Sequence, residues 1–143
     1  MNAVVTGASK GIGKAIAEKL ALEGFNVAIC SRDAAKLEAA AADIKAKAPQ
    51  AEVLTFAADM SKKEDVLAFA DKIKETFQTV DILVNNAGLY IPGALREQED
   101  GLLEYLMAVN VFSAHTITRQ LLPSMITQRK GHIFNLCSTA SYQ

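Results

Sequence analysis

The chain has 143 residues, a length typical of one domain, and a domain of this size removes roughly 70% of its unfolded surface from water. Half of the residues are hydrophobic, and the formal net charge of −1 provides no positive field that would attract nucleic acid or an anionic membrane. The composition therefore argues against nucleic-acid and membrane partners.

The first part of the chain predicts two strand–helix units followed by a third strand. A β-branched run at residues 3–6 ends at Gly7, and apolar residues then recur at helical spacing over residues 11–23. The order continues with a strand at 25–30, an alanine-rich helix at 34–48 that Pro49 stops, and a strand at 52–57.

The second part predicts a further helix, a strand, two helical segments and a last strand. Ser61 is a candidate N-cap, with Glu64 as its capping-box partner, for a helix that runs to about Phe77. A strand at 81–85, a loop at 87–93, helical segments at 97–107 and 110–128, and a strand at 132–137 follow in that order.

Five apolar strands separated by helices require right-handed crossovers and hence a parallel sheet that is covered on both faces. We predict a three-layer α/β/α Rossmann fold, a doubly wound parallel sheet with the order 3-2-1-4-5. The ligand crevice of such a sheet opens at the carboxyl ends of the strands where the order reverses, here between the first and the fourth strand. The strand ends at Gly7 and Asn85 should therefore face each other across the ligand.

A glycine motif, TGASKGIG at residues 6–13, lies between a predicted strand and a predicted helix. Glycine permits a tight turn and lets a phosphate approach the free N–H groups and the positive dipole end of the helix. The GxxxGxG spacing differs from the common GxGxxG. A triphosphate-binding P-loop is excluded, since Gly7 lies one residue too far from Gly13-Lys14 and Ala15 replaces the magnesium-binding Ser or Thr. Glycines that serve only a tight strand–helix corner are the alternative for this motif alone.

Further segments follow the glycine motif in a fixed order. They are Asp59 after the third strand, Asn85-Asn86-Ala87-Gly88 at the end of the fourth, Asn110 within a helix, and GHIFNLCS at residues 131–138. Together they resemble the short-chain dehydrogenase/reductase family over essentially the whole chain. The resemblance implies an NADP(H)-dependent oxidoreductase that interconverts a small-molecule carbonyl and alcohol by hydride transfer.

The resemblance also implies a set of cofactor-binding residues. They are Gly7, Ser9, Lys10, Gly11, Ile12 and Gly13 around the phosphates, Asp59 and Met60 beside the adenine, and Asn86, Ala87 and Gly88 toward the nicotinamide ribose. From the residues alone, Asp59 is equally typical of a loop-capping carboxylate, and Asn86 of a turn residue that bonds to its own backbone.

The end of the second strand, Ser31-Arg32, bears on the choice of cofactor. NADP carries a 2′-phosphate that a carboxylate would repel and a guanidinium would bind in bidentate fashion. Lys10 is similar in position to a second basic residue that NADP-preferring members of the family often carry. Asp33 is the complication, because its carboxylate is suited either to ribose hydroxyls or to capping the next helix. We predict NADP(H), with NAD(H) as the alternative.

Catalysis in the family uses an Asn, a Ser, a Tyr and a Lys, and the resemblance assigns the first two roles to Asn110 and Ser138. Ser138 would then hydrogen-bond to the substrate carbonyl, and Asn110 would help to hold the proton path of the lysine. Taken singly, each residue is more typical of an ordinary helix-face amide or strand-end hydroxyl.

The family's Tyr and Lys lie in a YxxxK segment about a dozen residues beyond the serine, and this spacing places both on one helix face. Tyr142 is too near Ser138 and has no lysine four residues later, so it is not assigned that role. We therefore expect a fragment, one NAD(P)-binding Rossmann domain over residues 1–143, that binds cofactor without turnover. A non-catalytic NADP-binding or regulatory module is the alternative, disfavoured because the sequence stops before a helix that should cover the sheet.

The resemblance leaves the substrate open among 3-oxoacyl groups, sepiapterin-type carbonyls, sugars and steroids. Members of the family commonly pair through the helix that corresponds to residues 110–128, so we expect a homo-oligomer, a dimer or tetramer, at full length. Cys30 and Cys137 form no metal-ligand cluster, which predicts buried thiols, a reducing compartment and no metal site. No apolar run approaches the roughly 18 to 20 residues that span a bilayer, and we expect a cytoplasmic protein.

Overall fold

The computed structural model describes residues 1–138; residues 139–143, which include Tyr142, lie outside the described residues. Five parallel strands form one sheet in the order β3-β2-β1-β4-β5. The strands are β1 (Asn2–Thr6), β2 (Asn26–Ser31), β3 (Val53–Ala57), β4 (Ile82–Asn85) and β5 (His132–Asn135). The doubly wound sheet that the sequence predicts is therefore confirmed, with its strand order.

Helices pack against both faces of this sheet, although β5 stays largely exposed. They are α1 (Gly11–Leu22), α2 (Ala34–Lys47), α3 (Lys63–Thr76), α4 (Leu102–Met107) and α5 (Ser113–Thr127), with a 3-10 helix at Leu95–Glu97 and a π-helical turn at Ala108–Phe112. The sequence predicts two separate helical segments at 97–107 and 110–128, whereas α4, the π-helical turn and α5 follow one another without a break. Within residues 1–138, no helix is long and apolar enough to cross a membrane.

The three layers follow from the alternation of side chains along each strand. Val4 of β1 packs on one face of the sheet in a core with Phe69 of α3 and Ile117 of α5. Its neighbour Val5 packs on the other face with Ala17 of α1. All five side chains are fully buried. Helices α1 and α2 thus form one outer layer, and helices α3 and α5 form the other.

The predicted capping box at Ser61 and Glu64 is wrong. Helix α3 begins at Lys63 after Lys62, and no side chain caps it. The Ser61 hydroxyl instead donates to Asp59 Oδ1 at 2.8 Å, and the Ser61 N–H donates to the same oxygen at 2.9 Å. Because Asp59 offers an acceptor within the turn, the serine completes that turn and is not available to the helix.

Asp81, just before β4, joins three strands at the amino-terminal edge of the sheet. Its Oδ2 accepts a hydrogen bond from Asn2 N–H at 2.8 Å, and its Oδ1 lies 2.8 Å from Lys130 Nζ. Its backbone N–H donates to the Asn2 carbonyl, and its carbonyl accepts from His132 N–H. Burial acts to raise the pKa of this carboxyl, but the bonds from Lys130 and Asn2 outweigh burial and lower the pKa.

The two cysteines differ in exposure because Cys30 lies within β2, inside the sheet, whereas Cys137 lies beyond the end of the edge strand β5. Cys30 of β2 is buried as predicted, and burial raises the pKa of its thiol to about 12, which makes it unreactive. Cys137 is exposed, contrary to the prediction. The strand ends at Asn135 rather than at residue 137, so Cys137 follows the strand and no described element covers it.

Candidate functional site

The glycine turn between β1 and α1 is shaped by backbone crowding. Gly7 and Gly11 have φ values of 67° and 58°, which favour glycine. A side-chain carbon at Gly13 would lie 2.6 Å from the Gly7 carbonyl oxygen and would overlap the amide nitrogen of Asn86. Only glycine at residue 13 therefore lets α1 start this close to the end of β1.

The amino terminus of α1 is open to an anion. Lys10 is the N-cap and makes no side-chain capping bond, and the first turn contains no acidic residue. The first N–H groups of a helix have no intrahelical acceptor and lie at the positive end of its dipole. Such an end binds phosphate when the backbone around it can approach closely, as the glycine turn allows.

Asn86 ties the ends of β1 and β4 together. Its Nδ2 donates to the carbonyl oxygens of Thr6 and Gly7 at 2.9 and 3.0 Å. The Thr6 hydroxyl oxygen accepts from the N–H groups of Asn86 and Ala87 at 3.1 and 2.9 Å. The two strand ends face each other as the topology predicts, and the side chain of Asn86 is committed to joining them.

A cavity of about 180 Å³ opens at these strand ends. It is smaller than the roughly 300–1,000 Å³ of a typical ligand pocket, so it has room for only part of a larger ligand. Nine residues on the predicted cofactor list line it: Gly7, Ser9, Lys10, Ser31, Arg32, Asp59, Met60, Ala87 and Gly88. A hydrogen bond of 2.9 Å between the hydroxyls of Ser31 and Ser9 joins the end of β2 to the glycine turn.

Two basic side chains border this cavity. No salt bridge within residues 1–138 involves Lys10 or Arg32. The Arg32 guanidinium donates from Nη1 to the Tyr105 hydroxyl oxygen at 2.8 Å. The border of the cavity therefore carries positive charge that is available to a ligand.

Asp33, which the sequence leaves open between two roles, is the N-cap of α2. Its Oδ1 accepts from Lys36 N–H at 3.0 Å, and its Oδ2 lies 2.7 Å from Lys36 Nζ. The bond from the Lys36 side chain, followed by that from its backbone, lowers the pKa of this carboxyl. The carboxylate is thus engaged with its own helix.

Asp59 both lines the cavity and closes its own loop. Its carboxylate accepts two bonds from Ser61, and its N–H donates to Asp65 Oδ2 at 2.8 Å. Burial acts to raise the pKa of Asp59, but the Ser61 hydrogen bonds, with the charge of Arg32, outweigh burial and lower it. The loop-capping role that the sequence offers is therefore compatible with a place in the cavity wall.

Asn110 lies in the π-helical turn and fastens the loop after β4. Its Oδ1 accepts from Leu89 N–H at 2.7 Å, and its Nδ2 donates to the Leu89 carbonyl at 2.9 Å. π-helical turns are frequent at functional sites, where the widened turn redirects a side chain. Asn110 also lines a second cavity of about 620 Å³ between α5 and the end of β5, and Ser138 follows that strand in an exposed position.

The family model described as short chain dehydrogenase matches residues 1–143, the whole chain. The chain belongs to the short-chain dehydrogenase family. The chain is 40% identical over 141 residues to an uncharacterised oxidoreductase of Staphylococcus saprophyticus, a match that covers 99% of the chain and 60% of that relative. The family resemblance seen in the sequence is thereby confirmed.

Solved structures of other proteins share the fold of this chain. A metagenomic short-chain oxidoreductase in complex with NADP matches with a TM-score of 0.92 at 38% identity, over 100% of this chain and 64% of its own. L-Sorbose reductase from Gluconobacter frateurii, complexed with NADPH and L-sorbose, matches with a TM-score of 0.88 at 36% identity, over 92% and 50%. The chain thus spans between 50% and 64% of the length of these relatives.

The remaining predicted residues lie around the cavity and not in its wall. Gly11, Ile12 and Gly13 form the start of α1, and Asn86 is turned into the joint between β1 and β4. Three residues that line the 180 Å³ cavity were not predicted: Ala58, Leu89 and Val109. Each of the three adjoins a predicted residue: Ala58 precedes Asp59, Leu89 follows Gly88, and Val109 precedes Asn110.

The hydrogen bond between Asn110 and the Leu89 backbone can be tested for its role in holding the loop after β4. Replacing Asn110 by alanine removes the acceptor of Leu89 N–H, and a lost hydrogen bond of about 1.4 kcal/mol corresponds to tenfold faster exchange. Amide hydrogen exchange should therefore accelerate about tenfold at Leu89. Gln120→Ala, which removes a surface amide bonded to Lys74, should leave that rate unchanged. Equal rates at Leu89 in both variants would contradict the proposed fastening.

Proposed function

We propose that residues 1–143 form a dinucleotide-binding domain for NADP(H), and that the complete protein interconverts a small-molecule carbonyl and alcohol. One observation carries the proposal: an uncapped glycine turn and two basic side chains that form no salt bridge within residues 1–138, Lys10 and Arg32, border one cavity. The NADP and NADPH complexes of the two structural relatives support the same cofactor class.

The residues present fit the chemical parts of this cofactor. A side-chain carbon at Gly11, the first residue of α1, would meet no atom beyond those of its chain neighbours within 4 Å, so phosphate oxygens have room beside the first N–H groups of the helix. Arg32 and Lys10 suit a 2′-phosphate, since a guanidinium presents paired donors and an ammonium adds charge. Asp59 and Met60 line the part of the cavity proposed for the adenine.

The nicotinamide end is proposed to extend past Ala87 and Gly88 toward Asn110 and Ser138. The cofactor, when bound, supplies or accepts the hydride. Ser138 is proposed to hydrogen-bond to the substrate carbonyl. Asn110 holds the Leu89 backbone and thereby orients the loop beside the reacting groups. Binding of the cofactor is proposed for residues 1–143, and the reaction is proposed for the complete protein.

Titration of the complete gene product with NADPH and NADH tests this proposal. We expect NADPH to bind more tightly, and Arg32→Asp to weaken NADPH by about 10- to 100-fold, because a hydrogen bond to a charged group contributes about 1.5–3 kcal/mol. NADH should be affected little. Isothermal titration calorimetry measures both affinities.

Arg129→Asp provides the matched control. It changes the net charge equally, but Arg129 is exposed just after the end of α5, at the edge of the sheet opposite the cavity. Its NADPH affinity should equal that of the unmodified protein. Equal affinities of the unmodified protein for NADPH and NADH would contradict the cofactor assignment.

A further inference from the structure

The contact between Arg32 and Tyr105 joins two distant parts of the chain at the border of the cavity. Arg32 directly follows β2, and Tyr105 belongs to α4, 73 residues further along. The guanidinium Nη1 lies 2.8 Å from the phenol oxygen, and Tyr105 is half-buried while Arg32 is exposed. Nothing in the local sequence around either residue requires this contact.

The position of Tyr105 follows from the course of α4. Val109, four residues later, is buried and lines the cavity. Tyr105 lies four residues, about one helical turn, before Val109. Its hydroxyl reaches the border of the cavity where Arg32 stands.

The chemistry of the pair suits an incoming phosphate. A guanidinium has five N–H donors, and the bond to Tyr105 uses one of them. The phenol accepts this bond with a lone pair, so its own O–H remains a donor. An arginine that is held in place before binding loses less side-chain entropy when the ligand arrives.

We infer that Tyr105 is a positioning residue for recognition of a 2′-phosphorylated nucleotide: it holds the Arg32 guanidinium at the border of the cavity. The inference rests on the proposed function. It adds a residue from α4 to the determinants of selectivity between phosphorylated and unphosphorylated ribose.

Tyr105→Phe removes the hydroxyl alone and tests this role. The probes are adenosine 2′,5′-bisphosphate, which carries the 2′-phosphate, and 5′-AMP, which does not. Titration of the complete gene product should show about fivefold weaker binding of the bisphosphate, as expected for one net hydrogen bond, and 5′-AMP affinity within about twofold. Tyr90→Phe removes a hydroxyl from a residue that is 84% exposed and should change neither affinity.

A double-mutant cycle separates positioning from a general structural effect. In an Arg32→Ala background, Tyr105→Phe should cause no further loss of bisphosphate affinity, because the group that it positions is absent. An equal loss in that background, an unchanged affinity of Tyr105→Phe alone, or tighter binding would overturn the inference while the cofactor assignment stands. An unmodified protein that binds both probes equally would overturn the cofactor assignment and the inference with it.

Discussion

Replacing Gly13 by valine should destabilise the protein by about 3 kcal/mol and abolish nucleotide binding. The new side chain would meet the Gly7 carbonyl oxygen at 2.6 Å and displace the Asn86 amide, which donates hydrogen bonds to the carbonyl oxygens of Thr6 and Gly7. Overpacking costs about 1–3 kcal/mol, and each lost hydrogen bond adds about 1 kcal/mol. Urea unfolding and NADPH titration of the complete gene product measure both effects.

Two further variants make this prediction specific. Gly13→Ala carries the first side-chain carbon alone and should show a smaller loss in the same direction. Gly93→Val places the same valine where a side-chain carbon meets nothing within 4 Å, and it should retain stability and binding. If Gly13→Val unfolds at the same urea concentration as Gly93→Val, the close approach of the glycine turn to Asn86 does not restrict residue 13.

Replacing Asp81 by alanine should lower the free energy of unfolding by about 2–3 kcal/mol. The substitution leaves Asn2 N–H without its acceptor at a site where Asp81 is 7% exposed. An unsatisfied buried polar group costs about 1–3 kcal/mol, and more when the lost partner is charged. Urea unfolding at pH 7 measures the loss, and the nucleotide affinity of the folded fraction should be unchanged, since Asp81 lies at the opposite edge of the sheet.

The effect of Asp81 should depend on pH in a defined direction. The pKa of its carboxyl is lower in the folded chain than in the unfolded chain, where it is about 3.9. The carboxylate therefore stabilises the fold fully above that pH, and its contribution is lost as the pH falls through the folded-state pKa. The difference in stability between the unmodified protein and Asp81→Ala should shrink below pH of about 4.

Asp71→Ala is the matched control for Asp81→Ala. Asp71 pairs with Lys74 at 2.8 Å, the same distance as between Asp81 and Lys130, but the Asp71 side chain is 66% exposed against 9% for Asp81. Surface ion pairs contribute about 0–1 kcal/mol, so its loss should be small. Equal losses from the two substitutions would show that the connection to Asn2 contributes nothing beyond an ordinary ion pair.

The sheet could be predicted from the sequence because its signals are local and consistent. The β-branched runs and the glycine after β1 define strands and a turn, and the right-handed crossover rule then restricts their order to few choices. The capping box failed for a physical reason. Asp59, two residues before Ser61, accepts the hydrogen bond of the Ser61 hydroxyl, so this hydroxyl bonds within the turn and does not cap α3. Sequence spacing does not rank such competitors.

The site was predicted less completely than the sheet. The glycine turn and Arg32 follow strands directly, so their place at the crevice can be read from the topology. Tyr105 of α4 contacts Arg32, and Val109 of the π-helical turn lines the cavity, through packing between distant parts of the chain that the local sequence does not specify. The direction of the Asn86 side chain is likewise decided by its tertiary partners.

The π-helical turn at Ala108–Phe112 separates α4, which contacts Arg32, from α5, which packs in the core. A π-turn holds about one residue more than an α-turn, so it rotates the side chains before it by about 100° relative to those after it. Tyr105 upstream is thereby aimed at the crevice, whereas Ile117 and Leu121 downstream stay in the core. The inferred role of Tyr105 predicts that substitutions in α4 change nucleotide preference without repacking α5, which would make this short helix a target for engineering of cofactor use.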